Sequence, residues 1–572
     1  MLLGLAMGCS DDATGQTGRD DHGATGATSV GPGTDGGSTS DGETTSSSLE
    51  TGDDADSSGS TGGPEVGCPP GADDCVELPL HQLLELRFVA RGAVGNPFDT
   101  YLLRLRVTSP AGVVRELDGF FDGDGTGGAE GNVWVARLTC DELGSWTWET
   151  IEGDAADAGL LGHGGEVMCM PSGDRGGLRR QGRHFALASG DPIYLVGNFL
   201  DFTGGLRSTH VYMSEDVSDM DRAAILSRQA DFHTANKANL YFANVGDYGG
   251  DAVTPWVGAA GASDRSRMDL GRWALYDGYL RELKDAGLLA EMWFFADDSA
   301  FGDGAGFSLD DHQRLLRYAM ARSSAFPHTA YVIALEWQEG FSQGRIEELG
   351  QWLAAHDPWE RLLSVHSLTG SSWAFAGSSW PGFVATQAGN STPATEVNAY
   401  GISIRSQDDL PHLDEEFGIL GGDVDDELRA RTWANLASGA AGGGTGSGLA
   451  AMQSFLASSR MPFQSMEPHN ELVTAGGSTR YCLAEPGHHY LVYSTGGGFD
   501  LVVEGTGLEA SWFDPRDAGA ARTEAGPVAA GNVHLEPPGG DDWVLYVGDG
   551  TGLNDGITHP SPGLEVIVIE VG

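Results

Sequence analysis

Between residues 173 and about 470, apolar runs of four to seven residues alternate with stretches of helical period, and this alternation constrains the fold more than any other feature. The runs are Ile193–Gly197, Leu240–Val245, Ala290–Phe295, Tyr331–Leu335, Leu362–Val365, Phe383–Thr386 and Leu410–Leu413. Between Gly271 and Gly287, Leu275, Tyr276, Tyr279, Leu280 and Leu283 fall on one helical face. Ser308 with Asp311 reads as a capped helix start, and Ile346, Leu349, Trp352 and Leu353 mark another helix. Repeated strand–helix units imply a parallel sheet covered by helices. Nearly 300 residues of such units favour a closed (β/α)8 TIM barrel over an open sheet. No Gly-rich phosphate fingerprint follows the first strand, which argues against a dinucleotide fold.

The flanks have a different pattern. Residues 76–172 carry strand-like runs such as Leu84–Val89, Tyr101–Val107, Asn132–Leu138 and Trp146–Glu149, separated by Gly, Pro and Asp clusters as in a β-sandwich. The Asp-rich stretch Asp118–Gly125 reads as a tight turn, because no Glu follows at calcium-loop spacing. Residues 476–572 return to short strands, including Tyr490–Tyr493, Leu501–Val503, Trp543–Val547 and Ile567–Ile569. A second β-sandwich is expected there, giving a barrel of 173–475 between two β modules.

Residues 10–75 are a linker of Ser, Thr, Gly and Asp. Such a segment buries too little apolar area to offset the entropy of ordering and is expected to be disordered. The chain carries 32 basic and 82 acidic residues, a net charge of −50. Counterion release needs a basic face, so no nucleic-acid partner is expected. Cys68 and Cys75 bracket a Pro-Pro-Gly turn, Cys140 and Cys169 lie within the first β module, and Cys482 is left over. The two pairs form disulfides if the chain is exported and stay reduced thiols otherwise; no spacing fits a zinc site, and neither metal nor cofactor is expected.

Catalytic groups of a barrel come from the C-terminal ends of its strands. Glu336 ends the run Tyr331–Leu335, counted as the fourth strand, and Glu416 follows Leu413-Asp414-Glu415 at the seventh. Glycosidic cleavage needs two carboxyl groups flanking the anomeric carbon, one as acid and one as nucleophile or base. Glu339, Glu415 and Asp414 are nearby alternatives. Asn198 and Asp201 after the first strand, Asn244 after the second, Trp293 on the third, His366 after the fifth and Gln387 after the sixth are candidate sugar contacts. Trp337 is the best placed aromatic ring for stacking on a sugar.

Several segments resemble known families. Residues 1–9 end in Ala6-Met7-Gly8-Cys9, similar to a bacterial lipoprotein signal. That resemblance implies a lipid on Cys9 and an extracellular or outer-membrane-anchored protein. Gly119–Gly125, Trp134–Arg137 and Glu142–Trp148 resemble a β-sandwich of unknown function that precedes barrel glycoside hydrolases. Arg179–Phe185, Asp191–Gly197, Ala334-Leu335-Glu336-Trp337, Glu415-Glu416-Phe417-Gly418 and Arg431–Gly442 resemble the apiosidase-like barrel glycoside hydrolases. This implies Glu336 as acid/base and Glu416 as nucleophile of a retaining enzyme, with His366 lining the pocket. The chain departs from that pattern at Leu335, where the family places Asn, and at Asn244, where it places Arg. Ala510–Arg516 and Asp541–Tyr546 resemble a small collagen-binding-type sandwich, whose expected role here is a cap on the barrel.

The reading is a secreted glycosidase acting on an extracellular poly- or oligosaccharide, with no obligate protein partner. The alternative is a carbohydrate- or matrix-binding surface lipoprotein on a degenerate barrel, which Leu335 and Asn244 would explain.

Overall fold

The computed structural model describes residues 67–69, 75–198, 224, 237–245, 254–259, 261–296, 300–389, 392–417, 425–444, 449–476, 479–550 and 562–572. All of them lie in the unit Pro64–Gly572. Cys9, the linker up to residue 66 and Asp201 fall outside the described residues.

Eight parallel strands form one sheet: β1 Leu195–Asn198, β2 Leu240–Asn244, β3 Leu289–Phe295, β4 Thr329–Ala334, β5 Leu363–Ser364, β6 Val384–Thr386, β7 His412–Asp414 and β8 Gly442–Gly443. Their order is β5-β4-β3-β2-β1-β8-β7-β6, and a bridge between His366 and Ala385 joins the two ends into a barrel. Every residue of β3 and β4 is buried, as strands covered on both faces must be. Leu289 and Trp293 point inward with Phe242, Val332 and Leu413, while Ala290, Met292 and Phe294 pack outward on the helices.

The barrel closes by two local devices. Between β5 and β6 the Ser364 hydroxyl donates to the Phe383 carbonyl at 2.8 Å and accepts from the Ala385 N–H at 3.2 Å, replacing ladder bonds. In β8, a Cβ on Gly442 would sit 2.6 Å from the Leu195 Cβ and 2.8 Å from a Leu413 methyl, so only glycine admits β1 and β7 this close.

The α-helices bounded among the described residues are α1 Leu270–Asp285, α2 Leu309–Ser323, α3 Gln343–His356, α4 Ala394–Arg405, α5 Asp425–Ala437 and α6 Leu449–Ser459. The expected capping box opens α2: the Asp311 N–H donates to Ser308 Oγ at 3.1 Å, and the Ser308 N–H to Asp311 Oδ2 at 3.0 Å. On α1, Tyr276, Tyr279, Leu280 and Leu283 are buried as expected, with Trp273 and Asp277, while Leu275 is half-buried. Leu178, Phe185, Leu187 and Ile193 from a three-stranded hairpin fill the N-terminal end of the barrel. No helix among the described residues is long and apolar enough to cross a membrane.

Ahead of the barrel, a five-stranded sheet and a four-stranded sheet bury alternate residues in a common core, among them Leu84, Leu105, Trp146 and Val167. Disulfides join Cys68 to Cys75 and Cys140 to Cys169. Asp124 makes the turn of the Asp-rich stretch by accepting from the N–H groups of Thr126 (2.8 Å) and Gly128 (2.9 Å). A buried ionic cluster fastens this region to the barrel. Arg137 binds Glu85 (2.9 Å) and Asp277 of α1 (2.6 Å), and Arg322 of α2 binds Asp277 (2.9 Å) and Asp122 (2.8 Å).

Behind the barrel, a six-stranded sheet has two apolar faces, as its period-2 pattern requires. Cys482, Val492, Trp512 and Leu545 face Phe499, Leu501 and Leu535 of a three-stranded sheet. Leu491, Tyr493, Phe513 and Val544 face Trp433 of α5 and Phe455 of α6. The last strand, Val566–Val571, pairs with neither of these sheets. It lies parallel to Leu83–Val89 at the edge of the four-stranded sheet ahead of the barrel, although its sequence position grouped it with the final β module.

Candidate active site

β4 ends at Ala334, and the chain turns sharply through Leu335 and Glu336. The Leu335 N–H still donates to the Phe295 carbonyl of β3 at 3.0 Å. Glu336 adopts φ +37° and ψ +52°, a left-handed conformation that costs a non-glycine residue energy and is tolerated where the surroundings enforce it. Here β5 enforces it. The Glu336 N–H donates to Nδ1 of His366 at 3.3 Å, and the Trp337 N–H to the His366 carbonyl at 3.1 Å. The half-buried Glu336 carboxylate accepts a hydrogen bond at Oε1 from Nε2 of Gln387, which follows β6. Thr369 holds Gln387 by donating to its Oε1 at 2.8 Å.

The chain after β7 carries three successive acids. Asp414 Oδ1 accepts from the Ala388 N–H at 2.9 Å, and burial pushes its carboxyl up to about 8. Glu415 is fully buried and faces His366, with Nε2 to Oε2 at 3.8 Å. Burial raises its carboxyl well above the usual range, reinforced by the charges of Glu291 and Glu416. Glu416 is 7% exposed, and its carbonyl accepts from the Gly389 N–H of the β6 loop at 2.9 Å. Glu336 and Glu416 thus follow the fourth and seventh strands at the C-terminal end of the barrel.

The structure brings His366 and Gln387 directly to Glu336. Both are buried, His366 against the backbone of Glu336 and Gln387 against its carboxylate. Burial pulls His366 down to about 3, which keeps its ring neutral. Trp293 is 1% exposed and wedged between Phe242 (5.5 Å between centroids) and His366 (5.3 Å), so it fills the barrel. Trp337 packs on Phe375 at 5.3 Å and is 7% exposed, in place of the open stacking face expected of it. The loop after β5 supplies Phe375, and Trp373 and Trp380 continue the cluster. Asn244 ends β2 and is buried beside Trp293 in register. Asn198 ends β1, with its side chain outside the described residues. Glu339 is exposed on the turn after Glu336.

One residue in the barrel interior escaped the sequence reading. Glu291 sits in the middle of β3, 1% exposed, with its carboxyl raised by burial to about 7. The signal was a lone acid at an inward position of an otherwise apolar run. Among the described residues no group of three His, Cys, Asp or Glu side chains could hold a metal ion.

Residues 77–152 match a family described as a domain of unknown function, DUF5060. No curated protein matches the chain. Among solved structures, a candidate glycoside hydrolase from Bacteroides vulgatus ATCC 8482 superposes with a TM-score of 0.65 at 16% identity, covering 83% of this chain and 99% of its own. A family 5 glycoside hydrolase from the same organism gives 0.52 at 14% identity, covering 68% and 96%. Another glycoside hydrolase gives 0.53 at 15% identity, covering 66% and 98%. At these identities the likeness establishes the fold.

Proposed function

We propose that the chain is a retaining glycoside hydrolase of extracellular poly- or oligosaccharides, with Glu336 as acid/base and Glu416 as nucleophile. One observation carries the reading: a strained Glu336 after β4 is held by side chains that follow β5 and β6, and a second Glu follows β7. Glycosyl transfer to the enzyme needs an ionised carboxylate on one face of the sugar and a proton donor on the other. The solved glycoside hydrolases that share the fold support this assignment.

The surrounding layers fit the same picture. The paired sheets ahead of and behind the barrel are read as β-sandwich domains, the second capping α5 and α6. Cys9 would carry a lipid and tether the protein at the outer membrane through the acidic linker.

Glu336→Gln and Glu416→Gln are each expected to lower kcat by several orders of magnitude while sugar affinity stays within a few-fold. The first anomer released, followed by NMR, is expected to keep the substrate's configuration. Inversion would remove the nucleophile role, and full turnover in both variants would remove the assignment.

A second reading has one observation in its favour. Leu335 occupies the position before Glu336 and packs on the apolar barrel interior, where a polar group would serve a sugar hydroxyl. A carbohydrate-binding protein without turnover would bind glycans and release no reducing ends from any of them.

A further inference from the structure

Two acids enter the barrel from opposite walls. Glu291 projects from β3 with the parity of inward-facing Leu289 and Trp293, and Glu415 from the end of β7 with the parity of Leu413. In an eight-stranded ring the third and seventh strands stand opposite each other, so the two carboxyls meet inside it. Both residues are at most 1% exposed, and apart from each other and the Trp293 indole beside Glu291, neither carboxyl has a hydrogen-bond partner in the protein. Among the described residues no Lys or Arg pairs with either.

The groups around them are few. Trp293 presents its indole N–H beside Glu291. Glu416 and Asp414 face Glu415 from its own segment, and His366 faces it from the segment after β5. The tautomer of His366 follows from its contacts. Nδ1 accepts the Glu336 N–H, so the proton of the neutral ring resides on Nε2, the nitrogen turned toward Glu415. Nε2 makes no ordinary hydrogen bond of its own and is completely buried.

Two carboxylates in one dry cavity without a counter-charge are not stable; such groups retain protons instead. We propose that Glu291 and Glu415 share a proton at neutral pH, and that this pair is the floor that positions His366 and, through it, Glu336. The remaining carboxylate character attracts the Nε2–H of His366, which fixes the ring whose Nδ1 holds the strained Glu336 backbone. The retained proton also keeps a second negative charge away from Glu416. Burial is the main cause of the upward displacement of both acids, to about 7 for Glu291 and well above the usual carboxylate range for Glu415. These are positioning residues, since both are buried away from solvent.

The consequence for turnover rests on the hydrolase reading, whereas the shared proton does not. A folded-state pKa raised above the unfolded value contributes stability below about pH 4, and that contribution is lost as pH rises through about 7. The test uses the full chain, Glu415→Gln and Glu291→Gln. Wild-type-minus-variant infrared spectra at pH 7 are expected to show a protonated carboxylic-acid C=O band for Glu415→Gln and for Glu291→Gln, over the band that Asp414, also raised by burial, gives in every chain. The fall in melting temperature between pH 6 and pH 8 is expected to shrink in both variants. The alkaline limb of kcat is expected to move up by about one pH unit, with KM unchanged. Absence of the band, or an unaltered pH dependence in a folded variant, overturns the proposal. A wild-type chain that shows the band and hydrolyses no glycan overturns the hydrolase reading and leaves the shared proton standing. If one variant fails to fold, the other carries the same comparison.

Discussion

Gln387 donates through Nε2 to Oε1 of Glu336, a carboxylate that can only accept, and the Thr369 hydroxyl donates to the amide oxygen at 2.8 Å, completing one orientation of the amide. The acid is therefore aimed by a residue two strands away, at a place where its own backbone is strained. Replacing Gln387 with Leu removes a hydrogen bond to a charged group, an interaction contributing about 1.5–3 kcal/mol. The expected result is a roughly 10- to 100-fold loss in kcat. Thr369→Val is expected to give a smaller loss, since the amide remains and only its orientation is freed. Steady-state kinetics with a glycan substrate, alongside calorimetric sugar affinity, separates lost positioning from lost binding.

The ionic cluster between the first β region and the barrel gives a stability prediction. Asp277 is buried, and burial alone would raise its carboxyl, yet Arg137 and Arg322 outweigh that and hold it below the usual range. Its contribution is thus present above the unfolded carboxylate value near pH 4 and lost as pH falls through the lower folded one. Asp277→Asn leaves two buried guanidiniums facing a neutral amide. Breaking one partner of a buried pair costs about 3–5 kcal/mol. Urea unfolding monitored by Trp fluorescence should show the first transition at distinctly lower denaturant, and α1 should lose amide protection first.

Acid sensitivity follows from buried imidazoles. Burial pulls His81, His184 and His312 down to about 4 and His366 and His412 to about 3, and holds His328 well below its usual range. In the unfolded chain each takes up a proton near pH 6.5. The unfolded state therefore binds more protons between about pH 6.5 and pH 4, and stability falls as pH drops through that window. Six such groups give a slope approaching about 8 kcal/mol per pH unit. Glu291 and Asp414, raised to about 7 and about 8, act in the opposite sense from near pH 4 up to those values, as does the raised Glu415, so they offset part of that slope and dominate once the histidines have titrated. Calorimetric melting is expected to be highest near pH 6–7 and to fall more steeply on the acid side.

The barrel was legible because β2, β3 and β4 are covered on both faces, and that requirement writes itself as continuous apolar runs. Counting those runs placed Glu336 after the fourth strand and Glu416 after the seventh. Side-chain environment was less legible. Trp337 follows a strand at the mouth, yet its ring turns into an aromatic cluster built from Phe375, Trp373 and Trp380, residues whose convergence depends on the loop between β5 and β6. Glu291 looked like one polar interruption in a hydrophobic run, and its meaning appears only when Glu415 arrives from the opposite wall. Strand partners were illegible for a general reason: a period-2 pattern fixes which face is buried and says nothing of which strand lies alongside.

The final strand is where that ambiguity has a testable consequence. Val566, Ile567, Ile569 and Val571 pack on the core shared by the first β region and the barrel, and the strand pairs in parallel register with Leu83–Val89, from Leu83 opposite Val566 to Phe88 opposite Val571. The Leu564 N–H further donates to Asp285 at the end of α1 at 2.7 Å, and the Glu565 N–H is tied to Gln82 at 2.5 Å. Deleting 562–572 strips one edge from Leu83–Val89 and exposes apolar surface there, at about 25 cal/mol per Å² of area returned to water. Hydrogen exchange is expected to rise across Leu83–Val89 and at the end of α1, while strands between 480 and 548 keep their protection. The converse pattern, loss of protection in 480–548 with Leu83–Val89 unchanged, would place the strand in the sheets behind the barrel. Because Arg137 on the neighbouring strand also anchors Asp277, the truncation should further weaken the hold of this region on α1, and Asp277→Asn combined with the deletion is expected to destabilise by more than the sum of the two.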